Sequence, residues 1–308
     1  MSKSILCIGA TLVDELYFSQ NTIILNSSNP AQKTSSIGGV ISNIAQHLAL
    51  LGLKPNLITV LGKDSEAISI VNQFNKLGIS FSESNFDAPS TGKYVSIAQP
   101  DGNLYVSVCQ DTTPQYLSVP FLESKSNFIK DFDVILLDAN ISVEALQWII
   151  SFAKTNLQKL IIEPVSGAKA SKLSALDLNG VYMITPNQEE LHAIATIDSE
   201  DESVLVSHLL HRGVKKVWLR KGNQGSVVFD VSHSLELTVP IISIVDSTGA
   251  GDAALAGWVF GYCNQEDERT SIQLAHSLAL EVLQIKGAVA NDITANSLQK
   301  IKNNYYHD

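Results

Sequence analysis

The stretch Asp246-Ser247-Thr248-Gly249-Ala250-Gly251-Asp252 combines small residues with two carboxylates. The apolar run Ile241 to Val245 before it indicates a strand, and the apolar residues Ala253 to Tyr262 after it indicate a helix. Glycines at a helix start let backbone N–H groups point at an anion, and the helix dipole favours negative charge there. Asp252 could accept a proton from an attacking hydroxyl at the same place. The stretch therefore predicts phosphoryl transfer, with a phosphate held beside a base.

Two better-known phosphate motifs do not account for this stretch. No Gly-Lys-Ser or Gly-Lys-Thr follows the glycines, so it is not a Walker A loop. The spacing is not Gly-x-Gly-x-x-Gly, so dinucleotide binding of the Rossmann type is not indicated either. A glycine-rich helix start with an incidental acid would explain a bare Gly-x-Gly-Asp, but it explains the whole string poorly.

Two segments near the N-terminus could hold a ligand. Ile5 to Ala10 is an apolar run typical of a buried parallel strand, and Asp14 follows its carboxyl end, where open α/β sheets bind ligands. Gly38-Gly39 opens a pattern with helical spacing, and Asn43 lies one turn inside it. An aspartate after a strand can also cap a loop, and glycine pairs before helices are common. Neither segment identifies a site by itself.

The rest of the chain alternates predicted strands with predicted helices, which favours an α/β fold with a mainly parallel sheet. The strands are Leu57–Leu61, Ile79–Phe86, Val134–Asp138, Leu160–Ile162, Val181–Ile184 and Lys216–Leu219, and the helices are Ser65–Leu77, Ser142–Thr155, Val204–Leu210 and Ser271–Ile285. Alternating residues on both sides of Pro100-Asp101-Gly102 predict a hairpin that interrupts this order. Together with residues 11–37 it could form a small second sheet, a lid over the α/β body.

Polar residues also follow the later strands. Asn187 and Glu190 are three positions apart, so they share one helix face near a strand's carboxyl end. They could hold a ligand, or Asn187 could be an N-cap with an acid that favours the helix dipole. Gly222 and Gly225 permit a tight turn close to a ligand, although a plain hairpin explains them equally well.

The composition excludes several classes of function. With 308 residues and 45% hydrophobic residues the chain can bury a large core, and no stretch reads as an interdomain linker. The formal net charge of −10 argues against binding to nucleic acid or anionic lipid, and no uncharged run is long enough to span a membrane. The three cysteines are widely separated and form no zinc motif. We therefore expect a cytoplasmic protein with a small-molecule substrate.

The string from Asp246 to Asp252 resembles the signature of the ribokinase-like, or PfkB, family of carbohydrate and nucleoside kinases. Three further motifs follow the family's order along the chain: Gly38-Gly39 with Asn43, Asn187 to Glu190, and Gly287-Ala288. The resemblance implies one domain over residues 1–308, folded as a ribokinase-like three-layer α/β/α sandwich. It also implies a small β lid from about residues 11–37 and 91–110, which relatives can use as a dimer contact.

The same resemblance implies roles for individual residues. Asp252 would be the catalytic base, and Gly249, Ala250 and Gly251 would form an anion hole for the transferred phosphoryl group. Asp14, Gly38, Gly39 and Asn43 would hold the sugar. Asn187 with Glu190 would organise Mg²⁺ and its waters at the ATP phosphates, and Lys221, Gly222, Gly225, Gly287 and Ala288 would border the nucleotide. A monovalent cation such as K⁺ would bind near Asp246, Thr248 and Ala288.

Segments around and between these motifs resemble the pseudouridine kinases within the family. They are Asn29-Pro30, Asn43-Ile44-Ala45, Glu163 to Ser166, and Lys169-Ala170. One departure is Ser42, which stands where a basic residue is often found before the asparagine. The resemblance implies ATP-dependent phosphorylation of the 5′-hydroxyl of pseudouridine. The alternatives are another sugar or nucleoside kinase of the family, such as a ribokinase, fructokinase or adenosine/inosine kinase, and a relative that binds its ligand without catalysis.

Overall fold

A computed structural model describes residues 3–306. Its strands are β1 (Ile5–Ile8), β2 (Leu12–Ser19), β3 (Ala31–Gly38), β4 (Asn56–Ile58), β5 (Val60–Gly62), β6 (Asn85–Ala88), β7 (Gly92–Ala98), β8 (Leu104–Gln110), β9 (Val134–Asp138), β10 (Lys159–Glu163), β11 (Val181–Ile184), β12 (Lys216–Arg220), β13 (Ser226–Phe229) and β14 (Ser234–Leu237). Its helices are α1 (Val40–Leu50), α2 (Ser65–Leu77), α3 (Thr113–Tyr116), α4 (Val119–Ser124), α5 (Ser126–Ile129), α6 (Val143–Thr155), α7 (Gly167–Ala170), α8 (Gln188–Ala195), α9 (Glu202–His211), α10 (Ala250–Cys263), α11 (Glu268–Val282) and α12 (Ala295–Tyr305).

The largest sheet among the described residues has eight strands in the order β14-β13-β12-β11-β10-β9-β1-β4. The six strands from β12 to β4 pair in parallel, whereas β13 and β14 form an antiparallel edge. Central strands are buried on both faces, as a parallel sheet covered by helices requires. Cys7 of β1 belongs to the core on one face, and Leu6 and Ile8 belong to the core on the other.

Helices cover both faces of this sheet. Buried residues of α1, α2, α10, α11 and α12 form the core on the Cys7 side, and those of α4, α5, α6, α8 and α9 form the core on the Leu6 side. The arrangement is the predicted three-layer α/β/α sandwich with a mainly parallel central sheet. Parallel strands place their carboxyl ends at one edge, so the residues that end β9, β10 and β12 come together there.

A second sheet, which we call the lid sheet, consists of β3, β2, β7 and β8 in that order. Apart from Gly38 at the end of β3, the residues of its strands fall within the segments predicted for the lid. Asp14 lies inside β2, opposite Ser36 of β3 and Tyr94 of β7. Asp14 is therefore a lid-sheet residue, carried by a strand that starts directly after β1.

The predicted strand Ile241 to Val245 was wrong. These residues form no strand, and the side chains of Ile241 and Val245 are 98% and 57% exposed. The backbone N–H of Val245 donates to the Leu283 carbonyl at the end of α11, at 2.8 Å. An apolar β-branched run becomes a strand only where a neighbouring strand can pair with it, and this run passes beside a helix end instead.

Two other strand predictions need correction. The run from Leu57 to Leu61 divides at Thr59: β4 pairs with β1, whereas β5 pairs with β6 in a separate two-stranded sheet. In the segment predicted as Ile79–Phe86 the strand begins at Asn85, and Ser80 makes an isolated bridge to Asn56. No sequence pattern predicted α3, α4, α5, α7, α12 or β14. Among residues 3–306, every helix is too short or too polar to traverse a bilayer.

Candidate active site

The side chains of Asn43 and Asp252 meet at the carboxyl edge of the main sheet. Asn43 Nδ2 donates a hydrogen bond to Asp252 Oδ2 at 2.9 Å. Asn43 lies in the first turn of α1, and Asp252 lies in the first turn of α10. Both side chains are buried, and Oδ1 of Asn43 has no hydrogen-bond partner among the described residues. The structure thus brings together a predicted base and a predicted sugar-binding residue, beside an unsatisfied acceptor.

The surroundings of Asp252 make it a stronger base than an ordinary aspartate. Burial raises the pKa of Asp252 to about 8, because an apolar environment disfavours the charged carboxylate. The hydrogen bond from Asn43 and the charge of Arg220 lower this pKa, whereas the carboxylates of Glu163 and Asp138 raise it. A carboxylate with this pKa can accept a proton near neutral pH.

Gly249 forms a left-handed turn that opens α10. Its φ is 77°, and a Cβ placed on it would lie 2.5 Å from the Ala288 carbonyl oxygen. No L side chain fits there without moving that loop. The turn leaves the first backbone N–H groups of α10 without intrahelical partners, which is how a helix start binds an anion.

Asp246 connects this turn to the segment that carries Gly287 and Ala288. Its carboxylate accepts hydrogen bonds from the backbone N–H of Thr248 at 2.9 Å and of Gly287 at 3.0 Å. Burial alone would raise the pKa of Asp246, but these hydrogen bonds outweigh it and hold the pKa below the ordinary value. Asp246 thus stays ionised and fixes the two loops against each other.

Asp14 faces the glycine pair that precedes α1. A Cβ on Gly38 would lie 2.1 Å from Asp14 Oδ2, and one on Gly39 would lie 2.3 Å from the Ala10 carbonyl oxygen. Both glycines are required by this close approach of the lid sheet and β1. Burial raises the pKa of Asp14 to about 6. Three predicted sugar-binding residues are therefore in contact at the base of the lid sheet.

Asn187 and Glu190 form a capping box at the start of α8. The Asn187 side chain accepts from the Glu190 N–H at 2.8 Å, and Glu190 Oε2 accepts from the Asn187 N–H at 2.9 Å. The capping alternative is therefore present in the structure. Burial, together with the nearby Glu163 carboxylate, raises the pKa of Glu190.

The oxygen atoms of Glu190 and Asn187 at the carboxyl edge of the main sheet suit a metal ion that keeps most of its water ligands. Residues 3–306 contain no cluster of three or more His, Cys, Asp or Glu side chains able to hold a metal by themselves. Mg²⁺ is usually held by one or two carboxylates together with substrate phosphates and water. Glu190 at the start of α8 fits that pattern, with Asn187 beside it.

Glu163 and Arg220 were not recognised from the sequence as site residues. Arg220 Nη2 donates to Glu163 Oε1 at 2.7 Å and lies 3.7 Å from Glu190 Oε2. Glu163 also accepts from Thr185 Oγ1 at 2.5 Å. Burial would lower the pKa of Arg220, but the carboxylates of Glu163 and Glu190 outweigh it and raise the pKa. The guanidinium therefore stays charged next to the start of α10.

Asp138 is a further buried carboxylate that the sequence analysis missed. It accepts hydrogen bonds from the backbone N–H of Ala10 at 3.1 Å and of Asn140 at 3.0 Å. Burial raises the pKa of Asp138 to about 6. Asp138, Glu163 and Arg220 share one signal, a charged residue that directly follows three or more apolar residues at the carboxyl end of a strand. That signal could have identified all three.

Lys169 joins the lid sheet to the main sheet. Its Nζ donates to Asn140 Oδ1 at 2.5 Å and to Asp111 Oδ2 at 3.3 Å. Asn140 follows β9, and Asp111 follows the lid strand β8. Lys169 thus connects the two sheets close to the carboxyl edge.

The predicted nucleotide residues lie in two places. Lys221 pairs with Glu202 of α9 at 2.8 Å, and Gly222 has open space where a side chain would be. Gly225 is tightly packed, because a Cβ there would lie 2.0 Å from the Leu237 carbonyl oxygen. These three residues belong to the turn between β12 and β13. Gly287 and Ala288 lie in a different loop, which follows α11.

Gly287 and Ala288 line a cavity of about 520 Å³ between the lid sheet, α2 and residues 286–291. Asp252 is not part of its lining. His47 fixes this loop to α1, since its Nε2 accepts from the Ala290 N–H at 3.2 Å and its Nδ1 donates to the Asn43 carbonyl at 3.1 Å. Burial lowers the pKa of His47 to about 4, so the ring is neutral.

Known proteins resemble this chain over most of its length. The family model described as pfkB family carbohydrate kinase matches residues 2–295. Pseudouridine kinase of Escherichia coli strain K12 is 31% identical over 286 residues, which cover 90% of this chain and 90% of that protein. Guanosine-inosine kinase of Exiguobacterium acetylicum is 21% identical over 292 residues, which cover 91% of this chain and 94% of that protein. The structure of Arabidopsis thaliana ribokinase complexed with ribose and ATP has a TM-score of 0.83 at 18% identity, covering 98% of this chain and 99% of that one.

These findings confirm the predicted family and fold. The family match includes all four motifs on which the resemblance depended. The likeness to the ribokinase structure extends to both the α/β sandwich and the lid sheet, since it covers nearly the whole chain. The family generally uses ATP and a divalent metal. The chain therefore belongs to the PfkB family of carbohydrate kinases, and it is an ATP-dependent kinase of sugars or nucleosides.

Proposed function

We propose that this protein phosphorylates the 5′-hydroxyl of pseudouridine with ATP, giving pseudouridine 5′-phosphate and ADP. The observation that carries the reaction type is the buried Asp252 carboxylate, held by Asn43 at the glycine turn that opens α10. The substrate is supported by the 31% identity to a pseudouridine kinase over 90% of both chains. It is also supported by Glu163 to Ser166 and Lys169, which belong to segments that resemble pseudouridine kinases.

Asp252 is the base of the proposed reaction. It accepts the proton of the 5′-hydroxyl as the oxygen attacks the γ-phosphorus of ATP and the bond to the ADP oxygen breaks. The backbone N–H groups of Gly249, Ala250 and Gly251 donate to the oxygens of the phosphoryl group in transfer. These donors are fixed before the reaction by the left-handed turn at Gly249, so they need no reorganisation as charge develops.

The sugar binds between the lid sheet and α1 in this proposal. Asp14 accepts hydrogen bonds from ribose hydroxyls, and Gly38 and Gly39 allow the ring to approach the backbone. Asn43 Oδ1, which is buried without a partner among residues 3–306, accepts a hydrogen bond from a further ribose hydroxyl. Ser42 is itself fully buried, so the base has to be recognised elsewhere. Lys169 between the two sheets is the group we assign to that task.

ATP binds along the carboxyl edge toward β12. Asn187 and Glu190 would hold a hydrated Mg²⁺, which supplies positive charge to the phosphates when it is bound. Lys221, Gly222, Gly225, Gly287 and Ala288 border the nucleotide. The loops fixed by Asp246, with Thr248 and Ala288, are where a K⁺ ion would bind.

The chain works as one kinase domain in this proposal, with the lid sheet closing over the sugar. Closure excludes water, which would otherwise compete with the 5′-hydroxyl as phosphoryl acceptor. The outer face of the lid sheet exposes Val106 and Val108, which are 45% and 64% accessible. That face could form the contact of a homodimer. The acidic net charge suits a cytoplasmic enzyme of small molecules.

A coupled assay of ADP release over a panel of acceptors tests the proposal. The panel contains pseudouridine, uridine, adenosine, inosine, guanosine, ribose and fructose, and we expect the highest kcat/KM with pseudouridine. A higher kcat/KM for ribose, fructose or a purine nucleoside would show that the proposed substrate is wrong and that the proposed kinase reaction is right. If calorimetry detects nucleoside binding but no acceptor gives ADP, the chain is a binding protein and the proposed reaction is wrong.

A further inference from the structure

We propose that Arg220 is a catalytic residue of this kinase, whose guanidinium contacts the phosphoryl group in transfer next to the Gly249 to Gly251 turn. The inference rests on the proposed transfer of a phosphoryl group at Asp252. It adds a charged side chain from β12 to the anion hole, for which the sequence motifs supply only backbone N–H groups.

The position of Arg220 is the first argument. Arg220 ends β12, and its backbone N–H donates to the Pro186 carbonyl at 2.8 Å, so the strand holds it at the carboxyl edge. A Cβ on Gly251 would lie 2.6 Å from Arg220 Nη1. The guanidinium therefore occupies the space that a side chain at position 251 would need, at the first turn of α10.

The way the guanidinium is held is the second argument. Nη2 is bound by Glu163, and Nε is buried without a hydrogen-bond partner among the described residues. That leaves Nη1, which lies against Gly251, as the arm directed at the helix start. An arginine fork can bind a carboxylate with one arm and an anion with the other, which a lysine cannot do in the same geometry.

The charges at this edge give the third argument. Glu163 from β10 and Glu190 from α8 lie 2.7 Å and 3.7 Å from Arg220 Nη2, and the charges of Glu163 and of Asp138 from β9 act on Asp252 of α10. A polyphosphate entering such a cluster is repelled unless cations offset the carboxylates. Arg220 brings a fixed positive charge to it, and in a buried site that charge acts strongly on the oxygens of a phosphoryl group.

The test compares Arg220→Met, Arg220→Lys and the double variant Glu163→Gln/Arg220→Met, which avoids leaving Glu163 without its partner. We expect kcat to fall about 10²-fold in both methionine variants, with a smaller change in KM for ATP, since one donor to the developing charge is lost. Arg220→Lys should recover part of kcat. Lys216→Met is the matched control, because Lys216 lies on the same strand and is also ion-paired, with Glu268. Its kcat should equal that of the wild type.

The experiments distinguish a wrong substrate assignment from a wrong role for Arg220. Each variant is assayed with whichever acceptor the wild type converts fastest, so a wrong substrate leaves the comparison intact. Binding of ADP with magnesium chloride and aluminium fluoride, which mimics the phosphoryl group in transfer, needs no knowledge of the acceptor and should weaken in both methionine variants. If the double variant melts like the wild type, keeps kcat within about threefold and binds this mimic equally well, Arg220 is not catalytic.

Discussion

Asn43 and Asp252 are 209 positions apart in the sequence, and one hydrogen bond of 2.9 Å joins their side chains. The bond ties the first turn of α1 to the first turn of α10, and these two helices pack along the same face of the main sheet. It orients the carboxylate that we assign as the base, and it partly offsets the effect of burial on that carboxylate's pKa. The contact therefore sets both the orientation and the basicity of the Asp252 carboxylate.

The rate of the reaction should depend on the ionisation of Asp252. Since burial raises the pKa of Asp252 to about 8, kcat/KM for the nucleoside should rise with pH below that value and level off above it. The Asn43→Ala variant should move this limb to higher pH, because the hydrogen bond that lowers the pKa is lost. Initial rates between about pH 6 and about pH 9.5 measure both effects. A profile that is flat across this range would argue against Asp252 as the base.

The same pKa shift predicts how stability changes with pH. The pKa of Asp252 is raised from 3.8 to about 8, so between these values the folded protein holds a proton that the unfolded chain releases. Folding stability from this group is therefore present at low pH and is lost as pH rises toward 8. Asp252→Asn should raise the melting temperature relative to the wild type, and more at about pH 8 than at about pH 5.

Asp267→Asn is the control for that experiment. Asp267 caps α11 on the surface, and the hydrogen bonds of its carboxylate with Thr270 lower its pKa. Its difference from the wild type should stay constant between about pH 5 and about pH 8, since Asp267 is ionised throughout. An Asp252→Asn difference that is equally constant would mean that Asp252 is ionised in the folded protein over this range.

The turn at Gly249 should tolerate no side chain. Gly249→Ala and Gly78→Ala are matched, because their φ values are 77° and 71°, but only the Cβ at position 249 meets a neighbour, the Ala288 carbonyl oxygen at 2.5 Å. Gly78→Ala should cost roughly 1–2 kcal/mol of unfolding free energy from its backbone conformation, with normal kcat. Gly249→Ala should cost more and should also lower kcat, since the donors to the phosphoryl group move. Urea unfolding measures the free energy, and ADP release measures kcat. If Gly249→Ala and Gly78→Ala lose equal amounts of unfolding free energy and of kcat, the turn at Gly249 does not have the assigned role.

Local signals explain what the sequence could predict. The bounds of α2 agree with the prediction because Asp64 caps its start and Gly78 adopts the left-handed conformation at its end. The glycine turn before α10 could be predicted for the same reason, since a glycine turn at a helix start depends only on adjacent residues. Caps and turns of this kind are therefore visible in a few consecutive residues of the sequence.

Tertiary context explains what the sequence could not predict. Ile241 to Val245 has strand-forming residues, but none of the strands in the described part of the chain pairs with it. The contact between Asn43 and Asp252 depends on how α1 and α10 pack, and no local pattern encodes it. Arg220 follows the predicted strand Lys216–Leu219 and has no motif of its own, whereas its importance comes from Glu163 and Gly251, which approach it from other parts of the chain.

The most direct test of the account is the activity of Asp252→Asn with saturating ATP and pseudouridine. The substitution keeps a hydrogen-bond acceptor for Asn43 Nδ2 and removes the base. We predict that ADP release falls by about 10³-fold or more while calorimetry gives a pseudouridine affinity within a few-fold of the wild type. A variant that retains kcat within about tenfold of the wild type would contradict the assignment of Asp252 as the base of this kinase.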